Sequence, residues 1–418
     1  MKKQLFLFFL TISLVSCYEK NNVSEYPVIN VVNSLEKYQR VYCSDMFSSI
    51  ELIPLETKDE CLIGGENLQI ILNDDFIFIK DPGIGFVSRE NLYGFDHTGK
   101  FINEIGRKGN GPGEYTNISY FFINIEKPYI YVVDFTKILE YDFSGRFIRS
   151  FPKPKPDDEF LSNIFYTGED LFISQMSYNG NNRFKYCLFD QNGDTVKTFP
   201  SSIFFEKDGS WTSTFHGALY PVRVDKRVYL KDYINDTLYV LINKELQPAY
   251  IFSFGNYSMP KESLENRQNR SNNTVTIRNL IGMPNFFFYG VSVPDIFYRP
   301  KSKPIHNPLD NGLLPTDGQI YGLYNIAQKT NILLDTDDFF QKGFINDING
   351  GFPFLPKYYA GNNMVVDVWN VIEMKEMLTE EYFSKQTIKN QQAHQKLKEL
   401  LKILKDDDNP VVVIAKLK

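Results

Sequence analysis

Hydrophobic and polar positions along this chain alternate in short runs that come in pairs, and the pairs share one design. Leu92 to Asp96 is followed by the turn His97-Thr98-Gly99 and the run Lys100 to Ile105. Ile138 to Asp142 leads through Phe143-Ser144-Gly145 into Arg146 to Phe151, and Tyr186 to Asp190 through Gln191-Asn192-Gly193 into Asp194 to Phe199. Period-two alternation rich in β-branched and aromatic residues, broken by an Asp-x-x-Gly turn, predicts antiparallel strand pairs. The turn glycines permit the positive φ that closes such a turn. A looser fourth copy reads Thr237 to Val240 with Ala249 to Phe254. Asp96, Asp142 and Asp190 stand 46 and 48 residues apart. That is the period of a propeller blade, a four-stranded sheet that must stack on its neighbours to bury its faces.

A second strand type precedes the pairs: Phe76–Asp81, Tyr129–Asp134, Leu171–Gln175, Arg227–Asp232, Phe286–Gly290 and Met364–Trp369. Six such strands predict six blades. In the fifth, Gln319–Tyr324 and Asn331–Leu334 supply the pair, with Asn325 to Thr330 where the Asp-x-x-Gly turn would stand. The sixth is one strand short before the chain ends on Pro410 to Lys418, and Ser49 to Leu55 has the alternation to complete it. Pairing these two segments would clasp the ends of the chain together and leave the last sheet no open edge. The fold class expected is therefore all-β: a six-bladed β-propeller of four-stranded antiparallel blades over residues 48–418. A helical insert, 372–408, interrupts the last blade. It places Leu378, Tyr382, Ile388, Leu397, Leu400, Leu401 and Leu404 among Glu and Lys, the pattern of one broken amphipathic helix or two with the apolar stripe on the ring.

Several motifs carry a resemblance. They are the glycine loop Gly109-Asn-Gly-Pro-Gly-Glu-Tyr115 after the Gly-Lys-Phe turn, and Asp236-Thr-Leu-Tyr239 followed by Phe254-Gly255 and Pro260. Asn346-Asp-Ile-Asn-Gly-Gly351 before Pro353 and the terminal Asn409-Pro-Val-Val-Val413 complete the set. Over roughly residues 48–418 the chain resembles the six-bladed β-propeller lipoproteins of Bacteroidetes. The resemblance implies a cell-envelope location and adds little chemistry, because most members lack an assigned activity.

The first sixteen residues differ from the rest. Met1-Lys2-Lys3 is basic, and Leu5 to Val15 is apolar but for Thr11 and Ser13. At 11 residues this stretch falls well short of the roughly 20 needed to span a bilayer. It reads as a signal peptide, residues 1–16. Leu14-Val15-Ser16-Cys17 resembles a lipobox, which makes Cys17 the residue to be acylated. Acyl chains there would anchor the protein to a membrane without a transmembrane helix, with residues 17–47 as a tether. The location expected is the cell envelope, as an outer-membrane lipoprotein facing the periplasm or the outside.

Charge and chemistry narrow the function only a little. The net charge is −6, or −8 without Lys2 and Lys3, which argues against a nucleic-acid partner. Beyond Cys17 only Cys43, Cys61 and Cys187 remain, so one intrachain disulfide at most is available, Cys43 to Cys61 being the conceivable pair. His97, His216, His306 and His394 are scattered without metal-ligand spacing, and no metal or cofactor is expected. No Gly-x-Ser-x-Gly elbow occurs; Ser292 lacks the second glycine. The glycine loop lacks the Gly-Lys-Ser/Thr ending and the following helix of a phosphate loop. Stiffened by Pro112, it reads as a structural turn with room for Arg107, Lys108, Glu114 and Tyr115 to line a ligand site. Long connections fall on one face of the ring: Asp81 to Asn91, the glycine loop, Pro294 to Gly318 and the helical insert. Such concentration marks the binding face of a repeat protein. Two functions fit: a membrane-anchored module binding a glycan, a peptide or an envelope protein, and a propeller lyase or hydrolase with its site over the central channel.

Overall fold

Each strand pair read from the sequence finds its place in one of six antiparallel sheets of a computed structural model. The structure describes residues 25–35, 38–64, 68–83, 90–124, 126–156, 161–176, 182–201, 204, 221–224, 226–231, 236–260, 273–294, 319–335 and 342–418. The leader, Cys17 and most of the long connections 81–91 and 294–318 lie outside these residues. Blade one is Gln69–Leu72, Phe76–Asp81, Asn91–Asp96 and Phe101–Glu104, written from the channel outward. Blade two is Tyr120–Ile123, Tyr129–Val133, Lys137–Asp142 and Phe147–Pro152, and blade three Leu161–Gly168, Leu171–Met176, Phe184–Asp190 and Thr195–Pro200. Blade four is Val222–Val224, Arg227–Lys231, Thr237–Ile242 and Glu245–Ser253, and blade five Thr276–Met283, Phe286–Ser292, Gln319–Asn325 and Thr330–Leu334.

Blade six closes the ring. Its order is Tyr358–Gly361, Met364–Trp369, Val411–Leu417 and Phe47–Pro54, so the outermost strand comes from the start of the fold. The clasp runs antiparallel from Val411 opposite Pro54 to Leu417 opposite Phe47. Val411, Val412, Val413 and Ala415 are all fully buried, which ties this joint to the core rather than to the surface.

The segment before the clasp is more than a tether. Val28–Asn30 adds to the outer strand of blade four and Tyr38–Gln39 to that of blade five, both in parallel, covering two sheet edges. Ile29, Val31, Leu35, Cys43 and Phe47 are buried. From about residue 26 onward the expected tether is therefore part of the propeller, because its alternate apolar side chains fill the edges of the blades it crosses.

The insert forms three helices, Val371–Met377, Glu380–Ser384 and Gln391–Ile403, capped by the side chains of Asn370, Thr379 and Asn390. Leu378, Leu397, Leu400 and Leu404 of the expected stripe, with Phe383, share one core with Phe47, Phe344, Phe354 and Trp369. Asp347 locks this corner. Its carboxylate accepts from the Ser44 N–H at 2.8 Å, the Ser44 hydroxyl at 2.5 Å and Lys389 Nζ at 2.8 Å, joining the N-terminal strap, the loop before blade six and the insert. Burial works against ionising Asp347, but the bonds from Lys389 and Ser44 outweigh it and hold its carboxyl below the usual range.

Cys43 and Cys61 do not pair. Both are free and buried, Cys43 in the core under the insert and Cys61 in the core between blades one and six.

The repeated turns show why their residues recur. In each, one aspartate oxygen accepts two backbone N–H groups: Asp96 from Thr98 and Lys100, Asp142 from Ser144 and Arg146, Asp190 from Asn192 and Asp194. Gly99, Gly145 and Gly193 follow with φ of +86°, +80° and +85°. A side chain at Gly99 would meet the Pro54 carbonyl at 2.2 Å, and one at Gly193 the Pro152 carbonyl at 2.3 Å. Each of these turns thus packs on the outer strand of the preceding blade. Blades four and five turn differently. Asn243 and Lys244 both take positive φ, +50° and +61°, in a two-residue hairpin, so the fourth pair is longer than its sequence suggests. In blade five Asn325 accepts from the Gln328 N–H and Lys329 takes the positive φ.

Gly361 has φ +85° but nothing within 4 Å of an added Cβ, so it isolates backbone strain from collision. Gly361→Ala is expected to cost about 1 kcal/mol, and Gly99→Ala about 2–3 kcal/mol or more, because the Pro54 carbonyl must also move. Urea denaturation of the two variants checks this; equal losses would mean the turn does not bear on the neighbouring blade.

Candidate functional site

Six inner strands surround a cavity of about 730 Å³ on the propeller axis, and every blade contributes to its lining. An inner strand has one edge without a neighbouring strand, so its backbone groups need other partners. Side chains from adjacent blades supply some of them. Gln69 of blade one donates through Nε2 to the Phe121 carbonyl at 2.7 Å and accepts the Phe121 N–H at 3.2 Å. The Ile164 N–H of blade three donates to the Tyr120 hydroxyl of blade two. Arg223 of blade four donates through Nη2 to the Tyr166 carbonyl of blade three at 2.8 Å. A bulge helps blade three: pairing slips between Ser162 and Ile164, and Asn163 between them takes φ +48°.

A second recurring device anchors the segment that leads into an inner strand. Asp81 accepts the Gly64 N–H, Asp134 those of Thr116 and Asn117, and Asp367 that of Leu355. All three aspartates are buried at or near the end of the second strand. They hold the entry of the inner strand rather than face a ligand.

The lining mixes apolar side chains, among them Ile71, Phe122, Ile164 and Val222, with polar ones. Among the described residues it includes no aspartate, glutamate, histidine or cysteine. Its charged side chains are Arg223 and Lys357, joined by the phenols of Tyr120, Tyr358 and Tyr359 and by the amides of Asn163, Asn279 and Asn362. Burial pushes the Tyr358 hydroxyl up to about 12, with Arg223 acting the other way, so it is a neutral donor at ordinary pH. Burial also lowers the pKa of Arg223.

The residues marked out by sequence lie elsewhere, and none of Arg107, Lys108, Glu114 and Tyr115 lines this cavity. Glu114 accepts the Gly111 N–H at 2.8 Å and Arg107 Nε at 2.7 Å, and these two bonds, in that order, hold its carboxyl below the usual range. Gly109 and Gly111 leave room for that carboxylate, since a side chain at Gly109 would sit 2.1 Å from Glu114 Oε2. Arg107 and Lys108 are exposed. Tyr115 points into the core of blade two, and its hydroxyl is buried without a hydrogen-bond partner. Tyr141 reaches the same loop and donates to the Gly113 carbonyl at 3.0 Å. His394 binds the Asn349 carbonyl through Nδ1 at 2.8 Å and sits edge-on to Phe383, a packing role within the insert. His216 and His306 lie outside the described residues. In four blades the inner strand has only three or four residues and carries little pattern, and those of blades three and five, eight residues each, are irregular, with pairing that slips at Asn163 and at Arg278. Stepping one hairpin upstream of each second strand would have found the lining residues.

A family model described as a domain of unknown function, DUF4934, matches residues 26–416. The chain belongs to the DUF4934 family. Its matched span starts where the N-terminal strap joins the propeller. Among curated proteins none matches. Of solved structures, a protein from Bacteroides fragilis whose name gives it as exported is similar at 19% identity and a TM-score of 0.65, over 94% of this chain and 99% of that one. A member of the DUF4221 family from Bacteroides vulgatus is similar at 11% identity and a TM-score of 0.51, over 89% of this chain and 97% of that one. At these identities the fold alone is shared.

The glycine loop separates two tyrosines with opposite expectations. Tyr115→Phe removes an unpaired buried hydroxyl and is expected to leave stability unchanged or raise it by up to about 1 kcal/mol. Tyr141→Phe strands the Gly113 carbonyl and is expected to cost about 1 kcal/mol. Chemical denaturation checks both, and a clear loss in Tyr115→Phe would contradict the unpaired state.

Proposed function

We propose that this protein is an envelope-anchored binding module whose ligand occupies the central channel. The observation that supports this best is the cavity lined by all six inner strands, about 730 Å³, within the roughly 300–1,000 Å³ of small-molecule sites. A glycan or peptide segment fits such a space; a folded partner does not enter it. Apolar walls interspersed with hydroxyl, amide and cationic groups suit recognition. The lyase or hydrolase reading draws no support from the lining. A site of that kind would draw inward His, Asp or Arg from three or more blades, and among the described lining residues only Arg223, from one blade, is of these types. Paired carboxylates of the glycosidase kind are absent among the described lining residues. The export named for the Bacteroides fragilis neighbour is in keeping with a leader at residues 1–16; the anchor at Cys17 is read from the sequence alone.

Screening the mature protein by thermal melting against saccharides and short peptides tests the channel. A ligand at 100 times its dissociation constant should add about 2.7 kcal/mol to stability. The shift should vanish in Asn279→Trp, which fills the channel from a side chain that holds no hydrogen bond among the described residues. A shift that survives this substitution would place the ligand elsewhere. For the anchor, Cys17→Ser is expected to stop fatty-acid labelling in cells and to release the protein from the membrane fraction. Unchanged labelling would rule out Cys17 as the acylated residue.

A further inference from the structure

The charge of the channel is one-sided. Its lining has two cationic side chains and no carboxylate among the described residues, in a chain whose formal net charge is −6. Lys357 is compensated by the buried Asp367, 3.5 Å away. Arg223 is not. It forms no ion pair with a described residue; its guanidinium uses Nη2 on the Tyr166 carbonyl and lies 5.7 Å from the centroid of the Phe165 ring. Glu126, an acid that acts on it from a distance, is held by the Tyr166 hydroxyl at 2.9 Å. A guanidinium has five N–H donors, so most of those of Arg223 remain for a guest. Withdrawing a cation from water without a counter-ion is costly, and an anion that enters relieves the cost.

What surrounds Arg223 selects the body that carries the anion. Tyr358, Tyr359 and Phe165 contribute aromatic rings to the lining, and the Asn279 amide, on the next inner strand, has no hydrogen bond among the described residues. A peptide strand would pair with an inner-strand edge, and at blades two and three, the ones beside Arg223, Gln69, Tyr120 and Arg223 already hold backbone groups of Phe121, Ile164 and Tyr166. A sugar ring needs only a stacking face and a few donors and acceptors. We infer that the channel binds an acidic saccharide, with its carboxylate or sulfate clamped by Arg223. This rests on the channel being the binding site, as proposed above.

Isothermal titration of the mature full chain tests it with four probes: a uronic-acid trisaccharide, its sulfated neutral counterpart, the unsulfated neutral trisaccharide of the same linkage, and inorganic sulfate. One or both acidic trisaccharides should bind at least tenfold more tightly than the neutral one, and which of them binds tells carboxylate from sulfate. Arg223→Gln should weaken that binding at least tenfold, Arg223→Lys should weaken it less, and Asn279→Trp should abolish it, with melting curves confirming that each variant folds. Equal binding of neutral and acidic sugars, lost in Asn279→Trp, would overturn the anion inference and leave the channel reading standing. Acidic-sugar binding that persists in Asn279→Trp would overturn the channel reading itself. Failure of both acidic sugars to bind, or sulfate binding as tightly as they do, would overturn the saccharide inference.

Discussion

Antiparallel pairing between the last strand of the chain and a strand near the start of the fold is the constraint on which the remaining structure depends. Five blades complete their four strands from consecutive segments; the sixth brings residues 47–54 against 411–417. Without that ladder the ring would have two loose ends, and the core between blades one and six would lose a wall. That core includes Ile53, Val366 and Val412 from the clasp blade and Ile77, Ile79 and Phe95 from blade one. Loop-closure entropy rises only slowly with length, so a join across most of the chain costs little more than a local one. The N-terminal strap reinforces it on the outside. Once Phe47–Pro54 is fixed, the preceding residues lie along blades five and four, and Asp347 ties Ser44 to the insert.

Closure also creates the channel. Six inner strands enclose a cavity only when the last blade meets the first, so the cavity and the stability of the ring depend on the same joint. The inner edges impose a further demand, since backbone groups turned from water need partners. Gln69, Tyr120 and Arg223 meet it from neighbouring blades, which fixes the spacing of the inner strands. Arg223 serves twice. One donor secures blade three to blade four, and its charge is left unmatched inside the ring. A side chain so held is already ordered before a ligand arrives, which reduces the entropy that binding must overcome.

How much of this the sequence reveals depends on the length of each element and on the chemistry of its turn. Strands of six residues, buried in their middle and ended by Asp-x-x-Gly, as at Asp96 and Asp142, declare themselves. The clasp was equally legible, because Ser49 to Leu55 alternates and the last blade lacked one strand. Asn243-Lys244 concealed the true length of the fourth hairpin, since a lysine at positive φ gives no glycine-like signal. Val28–Asn30 and Val222–Val224 are three residues each, too short for a period to show, yet one covers a blade edge and the other carries Arg223. The glycine loop drew notice for its composition. Its glycines instead make space for the Glu114 carboxylate, a local packing need that composition cannot distinguish from a ligand site.

The division of labour between framework and lining bears on how a shared fold can differ in function. Turn glycines pressed against a neighbouring carbonyl, buried aspartates at strand ends and the clasp are fixed by backbone geometry, which leaves little freedom in their residue type. The channel, by contrast, is lined by side chains on short strands whose backbone is held from outside by the rest of each blade. Replacing one such side chain alters the charge or shape of the cavity without disturbing a turn or a clasp. A fold shared at 19% identity therefore says little about what occupies the channel in this chain. The question turns on its own few inward groups, and of these Arg223 combines fixed position with uncompensated charge.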